Sequence, residues 1–323
     1  MTNKRFKTFG EFARFKAEVY AKYQPFGATA TRMDEAFETI QENLDGFEHG
    51  AITDERFLFV IGETGTGKSY TLRHYLRQMD SLQPYVNKYG ETVNPLISFK
   101  ADRVLTPREL LNFLLDKIDL PSQASETEAK KVLRDQIPAR GIKCIHIDEM
   151  QHAIRSNTPK TILGMQDAVK SLLEIADWPL HMIFSGVSSL DNLRKGDGQI
   201  TRRSIVVPFR QLKVEDDEKF ISKGFKTVVV DHCGLALDKT VQGSDFFGRL
   251  CKASNGGWGY MIETTQKACF LAIKNGNPAV TSNHFAHNYR LKFGPKKDEN
   301  IFTAKHWSKL KVPEALADMH MED

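Results

Sequence analysis

The sequence has 323 residues, of which 41% are hydrophobic and 27% are charged, and its formal net charge is +4. This composition excludes wholesale disorder, and the length suits two domains with terminal extensions. The mildly basic balance permits a polyanionic partner without requiring one. No apolar run approaches the roughly 18 residues that span a bilayer, and the first residues lack a signal-peptide pattern. We therefore expect a soluble intracellular protein with no membrane partner.

The cysteine pattern excludes two common kinds of site. The sequence has four cysteines, and no two of them have the C-x-x-C spacing of a zinc ribbon or a redox-active pair. Free thiols in a reducing compartment are the simplest interpretation, which favours the cytoplasm.

The first 50 residues carry two helical patterns separated by a break. Aromatic residues recur at near-helical spacing from Phe6 to Tyr20, and Pro25-Phe26-Gly27 interrupts the pattern. A second amphipathic run contains Met33, Ala36, Phe37, Ile40 and Leu44. Residues 1–50 are therefore predicted to be a helical N-terminal extension.

Short apolar runs then alternate with helical patterns over residues 51–212. Strands that lack polar alternation and are separated by helices predict an α/β domain, in which helices cover both faces of a parallel sheet. The predicted strands are 57–61, 96–99, 144–147, 181–184 and 205–208, and the predicted helices are 69–79, 107–118, 126–136 and 166–176.

The strand pattern stops near Leu212, and four helical patterns follow. They cover residues 216–235, 244–253, 260–274 and 282–292, so residues 213–294 are predicted to form a small all-α lid domain. Residues 295–323 are polar and end in acidic residues, and we expect a tail or a docking segment.

The strongest chemical signal is a phosphate-binding loop between a predicted strand and a predicted helix. Its glycines let backbone N–H groups surround phosphates, and the following helix adds its positive N-terminal dipole. Lys68 is expected to neutralise the β- and γ-phosphates of ATP, and the Ser69 hydroxyl to bind Mg²⁺. The expected nucleotide-binding residues are Gly62, Glu63, Thr64, Gly65, Thr66, Gly67, Lys68 and Ser69, with Tyr70 directly after them.

A pair of adjacent carboxylates ends the apolar strand at 144–147. Asp148 is expected to hold Mg²⁺ or its hydration shell, and Glu149 to orient or deprotonate the attacking water. His146 lies within the strand, where a hydrogen-bonded core histidine is more common than a ligand. The pair therefore supplies the expected catalytic companion of the phosphate loop.

The strand at 181–184 ends in Ser185-Gly186. Two interpretations of Ser185 stay open. Its hydroxyl lies beside the γ-phosphate, or the residue belongs to an ordinary strand-terminating turn.

The order of these motifs resembles the TniB/TnsC family of AAA+ transposition regulators, over about residues 50–290. The resemblance rests on the phosphate loop, on Ile147-Asp148-Glu149-Met150-Gln151, on Phe184-Ser185-Gly186-Val187, on Arg202-Arg203 and on the helical lid. It implies an ATPase that forms homo-oligomers on double-stranded DNA and links a TniQ-type target-selection protein to the transposase. Such a protein is cytoplasmic and associates with the nucleoid when it is on DNA.

The resemblance also assigns roles to arginines and lysines. Arg203, or else Arg202, is implied to be the finger that reaches the γ-phosphate of the neighbouring subunit, with two solvated arginines as the alternative. Arg103 and Arg108 are implied to contact DNA phosphates, with Lys130, Lys131 and Arg134 as further candidates. Because acidic residues nearly balance this region, a salt-bridged surface is the alternative there.

The sequence departs from the pattern of many AAA+ proteins in the predicted lid. Many AAA+ lids carry an arginine that senses the γ-phosphate, whereas this chain has Gly256-Gly257-Trp258-Gly259-Tyr260 at the corresponding place. We expect Trp258 or Tyr260 to pack near the nucleotide, and we expect slow, partner-regulated hydrolysis. The alternative functions are a replication-initiator or helicase-loader type of AAA+ ATPase and a non-hydrolysing, ATP-gated scaffold.

Overall fold

A computed structural model describes residues 6, 8–51, 54–154 and 158–311, apart from the side chains of residues 28, 48 and 297. Its chain divides into two compact units. The core unit contains the described residues of 28–62 and 68–209. The helical unit contains those of 6–27, 63–67 and 210–311.

The core unit is built on a parallel sheet of five strands, in the order β4-β5-β6-β1-β7. Each of the five predicted strands is present, with one or two residues more than the apolar run. The short strands β2 and β3 pair separately as an antiparallel hairpin that the sequence analysis missed. The strands of the core unit are β1 (Phe57–Gly62), β2 (Tyr85–Val86), β3 (Thr92–Val93), β4 (Leu96–Lys100), β5 (Cys144–Asp148), β6 (His181–Gly186) and β7 (Ser204–Phe209).

Helices cover this sheet, so the predicted fold class is confirmed. α7 begins seven residues before its predicted start, because the Thr158 side chain caps the helix and Pro159 occupies its first turn. The helices of the core unit are α2 (Gly27–Glu48), α3 (Lys68–Gln78), α4 (Pro107–Asp116), α5 (Glu126–Ala139), α6 (Met150–Ala153), α7 (Pro159–Leu173), α8 (Asp191–Lys195) and α9 (Gly198–Arg202).

The two N-terminal helical patterns form separate helices that belong to different units. α1 (Phe9–Ala21) is part of the helical unit, and α2 after its first residue is part of the core unit. The predicted apolar stripe of α2 is buried throughout. Asn43 donates a hydrogen bond to the Glu55 carbonyl at 3.0 Å, and the Tyr75 hydroxyl donates one to Asp34 at 2.5 Å, so polar contacts also attach α2 to the core.

The helical unit contains the four helices predicted for the lid. They are α10 (Val214–Lys226), which continues as a π-helical stretch over Thr227–His232, α11 (Ser244–Ala253), α12 (Trp258–Lys274) and α13 (Ser282–Phe293). Two short strands, β8 (Ala236–Leu237) and β9 (Ala279–Val280), pair in parallel between them. Within the described ranges, no helix is long and apolar enough to cross a bilayer. The four cysteines are buried free thiols, as expected.

Residues 295–311 pack onto the helical unit, which agrees with a docking segment, one of the two alternatives expected for residues 295–323. The rings of Phe246, Phe285 and Phe302 lie with centroids 5.0–6.2 Å apart, and Ile301 is fully buried. The Trp307 indole donates a hydrogen bond to Asp245 at 2.9 Å. Ile301, Phe302 and Trp307 stand among polar and charged residues in the sequence. The average polarity of the segment therefore did not indicate that it packs against the helices. Residues 312–323 lie outside the described residues.

The packing of Phe302 predicts a large loss of stability on truncation. We expect Phe302→Ala to lower the free energy of unfolding by about 3–5 kcal/mol, because it leaves a cavity among aromatic rings. Lys305→Ala, at a neighbouring exposed position, is the matched control and should change the free energy by less than about 0.5 kcal/mol. Urea unfolding followed by circular dichroism measures both. Equal midpoints for the two variants would show that this segment does not support the helical unit.

Candidate nucleotide-binding site

The register of the parallel sheet brings the predicted chemistry of the core unit to one edge. Ile61 of β1 lies opposite Gly186 of β6, and Ile147 of β5 lies opposite Phe184. The carboxyl ends of these three strands therefore meet, which is where open α/β sheets bind ligands. Gly62, Asp148 and Ser185 all belong to this edge.

Lys68 begins α3 and folds back toward the end of β1. Its side chain is buried, and its ammonium group donates a hydrogen bond to the Gly62 carbonyl at 2.5 Å. Gly62 is required here because a Cβ atom would lie 2.3 Å from the Phe209 carbonyl oxygen. A charged amine held at the start of a helix, beside a strand end with no side chain, is suited to anionic phosphate.

Ser69 and Ser185 converge on the carboxylate of Asp148. The Ser185 hydroxyl donates a hydrogen bond to Asp148 Oδ1 at 2.5 Å, and Ser69 forms a second side-chain hydrogen bond to this residue. Burial, the largest single influence, raises the pKa of Asp148, but the hydrogen bonds from Ser185, Ser69 and the Glu149 N–H, together with the neighbouring His146, bring the pKa below its usual value. Asp148 is therefore ionised at neutral pH. Ser185 contacts this carboxylate, so it does more than end a strand.

His146 forms a buried polar connection behind the carboxylate. Its Nδ1 lies 2.8 Å from the Ser98 hydroxyl, and its Nε2 lies 3.4 Å from the Ser185 hydroxyl. Burial lowers the pKa of His146 to about 4, so the ring is neutral near pH 7. It is a hydrogen-bonded core histidine, as the sequence analysis favoured. Its contact with the Ser185 hydroxyl helps to orient that side chain.

Gln151 is a residue that the sequence analysis quoted without assigning it a role. Its side-chain amide donates a hydrogen bond to Glu149 Oε2 at 2.5 Å, and its carbonyl oxygen accepts one from the Val187 backbone N–H at 3.3 Å. Gly186 leaves room for it, because a Cβ atom there would lie 2.2 Å from Gln151 Oε1. Gln151 thus ties the Glu149 carboxylate to the loop after β6. Its position two residues after Glu149 was the sequence feature from which a role beside the carboxylate could have been predicted.

Glu149 itself has an unusual backbone conformation. Its φ of 54° lies in the left-handed region, which is uncommon for a residue other than glycine. Its N–H donates a hydrogen bond to Asp148 Oδ1 at 3.0 Å. Strained backbone of this kind is concentrated at functional sites, where neighbouring contacts hold it in place.

The tip of the phosphate loop, residues 63–67, is grouped with the helical unit by its contacts. The Tyr260 N–H donates a hydrogen bond to the Gly65 carbonyl at 3.0 Å. Gly65 (φ 81°) would place a Cβ atom 2.1 Å from the Tyr260 ring, and Gly259 would place one 3.0 Å from Gly67 Cα. Within the tip, the Thr66 hydroxyl donates to the Glu63 carbonyl at 2.7 Å. The first turn of α12 therefore packs on this tip through glycines and one tyrosine.

The two aromatic residues expected near the nucleotide have different surroundings. Tyr260 contacts the tip of the phosphate loop, as described above. The Trp258 ring instead packs between Phe220 (4.5 Å between ring centroids) and Phe26 (6.4 Å) within the helical unit. Tyr70 lies in the first turn of α3 with 37% of its surface exposed, and burial of the rest raises the pKa of its phenol.

Arg202 and Arg203 lie at the opposite edge of the same sheet. Ser204 lies opposite Phe57, the first residue of β1, whereas Gly62 is the last. A strand rises about 3.3 Å per residue, so about 20 Å separates Arg203 from the phosphate-loop edge along the sheet. Asp54 lies 3.2 Å from Arg202 Nη2 and 3.9 Å from Arg203 Nε. Neither arginine belongs to the site of its own chain.

The five proposed DNA-contacting residues lie in the loop before α4, in α4 and in α5. Arg103 and Lys131 are exposed. Arg108 donates a hydrogen bond to the Ala124 carbonyl at 3.0 Å, and Lys130 pairs with Glu126 at 2.6 Å. Arg134 donates a hydrogen bond to the Glu174 carbonyl at 3.1 Å. Three of the five cations therefore already have partners in the chain, and Arg103 and Lys131 are the stronger candidates.

The core-unit residues fit a magnesium-bound triphosphate. A serine hydroxyl and an ionised carboxylate in contact are the oxygen ligands that Mg²⁺ prefers, and Mg²⁺ retains several waters when so few protein ligands hold it. Within the described ranges, no group of three or more His, Cys, Asp or Glu residues could hold a metal ion. The donor set therefore suits an ion that arrives with phosphate.

The contact of Gly65 with Tyr260 predicts a specific cost of substitution. Gly90 is the matched control, because its φ of 82° is nearly that of Gly65 but a Cβ atom there meets nothing within 4 Å. We expect Gly90→Ala to lower the free energy of unfolding by about 1 kcal/mol and Gly65→Ala by about 2–4 kcal/mol, since only the latter also meets a ring. Urea unfolding measures both. Tyr260→Ala should remove most of the excess cost of Gly65→Ala, and an excess that persists in the double variant would contradict this contact.

Comparison with known proteins agrees with this architecture. Residues 52–193 match a family model described as an AAA domain. The ORC1 protein of Aeropyrum pernix, solved in complex with DNA, superposes with a TM-score of 0.55 at 14% identity, over 88% of this chain and 69% of that one. The ORC2 protein of the same organism, solved as ADPNP–ADP complexes, gives 0.53 at 17% identity, over 87% and 75%. No curated protein sequence matches the chain. The fold is that of the P-loop AAA+ proteins.

Proposed function

We propose that this chain is an ATPase that assembles on double-stranded DNA and regulates DNA transposition in the manner of the TniB/TnsC family. The observation that carries the ATPase proposal is the convergence of Lys68, Ser69, Asp148 and Glu149 at one edge of the sheet. The DNA and transposition roles rest on the motif order of the resemblance.

Each of these core-unit residues has a separate role in the proposed hydrolysis of ATP. Lys68 holds the terminal phosphates, and Ser69 with Asp148 holds the magnesium ion, which when bound neutralises charge on the phosphate oxygens. Glu149 orients a water for attack and accepts its proton. The hydrogen bond from Gln151 fixes the direction of the Glu149 carboxylate, so the loop after β6 and the base move together.

The position of Arg203 supports a site shared between copies. A residue about 20 Å along the strand from its own phosphate loop cannot reach the phosphates of the same chain. It can reach those of an adjoining copy in a head-to-tail assembly, which forms a ring or a filament. Both arginines form ion pairs with Asp54 at this edge of the sheet.

Exposed cations near α4 support binding to the DNA backbone. Arg103 and Lys131 have free access to solvent, and cations of this kind give affinity for phosphate without reading base sequence. Double-stranded DNA is the proposed polymer, and a TniQ-type protein and transposase subunits are the proposed protein partners.

A replication-initiator or helicase-loader role is the second candidate function. The similarity to the ORC1 protein, solved in complex with DNA, favours it. It shares the nucleotide chemistry and differs in the protein partner. Capture of purified transposase, with no capture of a replicative helicase, would support the first function, and the reverse would support the second.

Replacement of the proposed base should separate binding from hydrolysis. We expect Glu149→Gln to retain ATP affinity within about threefold and to lose at least about 100-fold in hydrolysis, because the amide cannot accept a proton. The ATP-bound assembly should consequently persist on duplex DNA. Steady-state phosphate release and the lifetime of the DNA complex measure the two effects. Unchanged phosphate release would remove Glu149 from the mechanism, and an absence of DNA-stimulated release in the unmodified chain would favour a non-hydrolysing scaffold.

Mixing two inactive variants tests the shared site. Glu149→Gln lacks the base and Arg203→Ala lacks the finger, so each alone should be nearly inactive. In a random 1:1 mixture, about a quarter of head-to-tail interfaces combine an intact base with an intact arginine. We expect phosphate release to recover to about that fraction. Arg202→Ala is the matched control and should retain most activity. No recovery in the mixture, with assembly intact, would assign Arg203 a structural role.

A further inference from the structure

A large open groove lies within the helical unit, away from the phosphate-loop tip except at Tyr260. It has a volume of about 1190 Å³ and is enclosed by α1, α12 and α13. We call it the lysine-rimmed groove. The α12 residues that line the groove recur every three or four positions, so they share one face of the helix. They are Tyr260, Glu263, Thr264, Lys267, Phe270, Leu271 and Lys274.

The walls of the groove expose large apolar side chains to solvent. Phe9 of α1 is 86% exposed, Leu291 of α13 is 71% exposed, and Tyr20 is 41% exposed. The Tyr20 ring packs edge-on against Phe270 at 5.3 Å, and the Phe12 ring does so at 6.3 Å. A contiguous aromatic surface of this kind marks a place where another segment binds.

The rim of the groove carries a positive charge. Four lysines line it, at positions 16, 267, 274 and 292, against the single carboxylate of Glu263, which pairs with Lys267. Lys292 lies 5.0 Å above the Tyr260 ring and Lys16 lies 5.1 Å above the Phe12 ring, so their charges stand next to aromatic faces. The expected occupant is therefore acidic as well as apolar.

The last described residues lie along α11, the C-terminal end of which borders this groove. The Trp307 ring lies against Gly248 of α11, and the Ser308 carbonyl accepts a hydrogen bond from Lys252 at 2.7 Å. The chain therefore runs toward the C-terminal end of α11, and the next residue of that helix, Ala253, lines the groove. The sequence continues for twelve residues after Lys311.

Those twelve residues, 312–323, have the composition that the groove requires. They contain four acidic residues and no lysine or arginine. Val312, Leu316 and Met319 recur at a spacing of four and three residues, so they would share one face of a helix. A helix of twelve residues is about 18 Å long, and the lining face of α12 from 260 to 274 is about 21 Å long.

We propose that residues 312–323 bind in the lysine-rimmed groove of their own chain, as an acidic amphipathic helix that lies along α12. Leu316 and Met319 pack among the aromatic side chains, and the acidic residues face the lysines of the rim. The attachment at Ser308 keeps the segment at a high effective concentration, so even weak contacts suffice. This proposal is independent of nucleotide chemistry.

The test uses the full chain and a fluorescent peptide of residues 312–323, followed by fluorescence anisotropy. In the unmodified protein the groove is already filled, so the peptide should bind weakly. In the full-length variant Leu316→Asp/Met319→Asp the internal segment is released, and the peptide should bind at least tenfold more tightly. Binding should weaken as the salt concentration rises, because the rim is charged.

Matched variants locate the binding site. Lys267→Glu/Lys274→Glu, added to the released-segment variant, should lower peptide affinity at least tenfold. Lys219→Glu/Lys239→Glu changes the same amount of charge at exposed positions outside the groove and should change affinity less than threefold. A peptide carrying Leu316→Asp and Met319→Asp should not bind. Equal peptide binding to the unmodified protein and the released-segment variant, binding to neither, or equal effects of the two lysine pairs would each overturn the proposal.

Discussion

The parallel register of β1 with β6 and β7 is the constraint on which the rest of the proposed chemistry depends. It brings Gly62 to the same edge as Asp148 and Ser185, and it sends Arg203 to the other edge. Because strands are stiff and their pairing is fixed by main-chain hydrogen bonds, neither edge can adjust to complete a site within one chain. In the proposed head-to-tail assembly, the Arg203 edge of one copy would complete the phosphate-loop edge of the next, and this would couple the proposed hydrolysis to assembly.

Behind the sheet edge, buried polar side chains fix the orientation of the proposed catalytic groups. His146 lies between the hydroxyls of Ser98 and Ser185, and Ser185 in turn holds Asp148. The neutral imidazole adds no charge to this connection, since burial lowers its pKa to about 4. Hydrogen bonds in such surroundings are stronger than in water, and leaving one unmade is costly. The carboxylates are thus held ready before any ligand arrives.

The helical unit contacts the tip of the phosphate loop mainly through backbone atoms of α12. Gly257 and Gly259 let the first turn of α12 approach Gly65 and Gly67 with no intervening side chain, and the Tyr260 N–H bonds to Gly65. The same helix forms the floor of the lysine-rimmed groove, so α12 is in contact with both the loop tip and the proposed docking site.

Local patterns in the sequence determined the fold class, the five sheet strands, the lid helices and the phosphate loop, because apolar periodicity and the glycine-lysine spacing act over a few neighbouring residues. Contacts between distant residues decided the rest. Sequence could not show that Gln151 reaches Val187, that Phe302 packs with Phe246, or that α1 and α2 belong to different units. It gave Arg203 a candidate role, but only strand register placed that residue an entire strand away from Lys68. Such contacts depend on how elements pack together, and packing is a property of the whole folded chain.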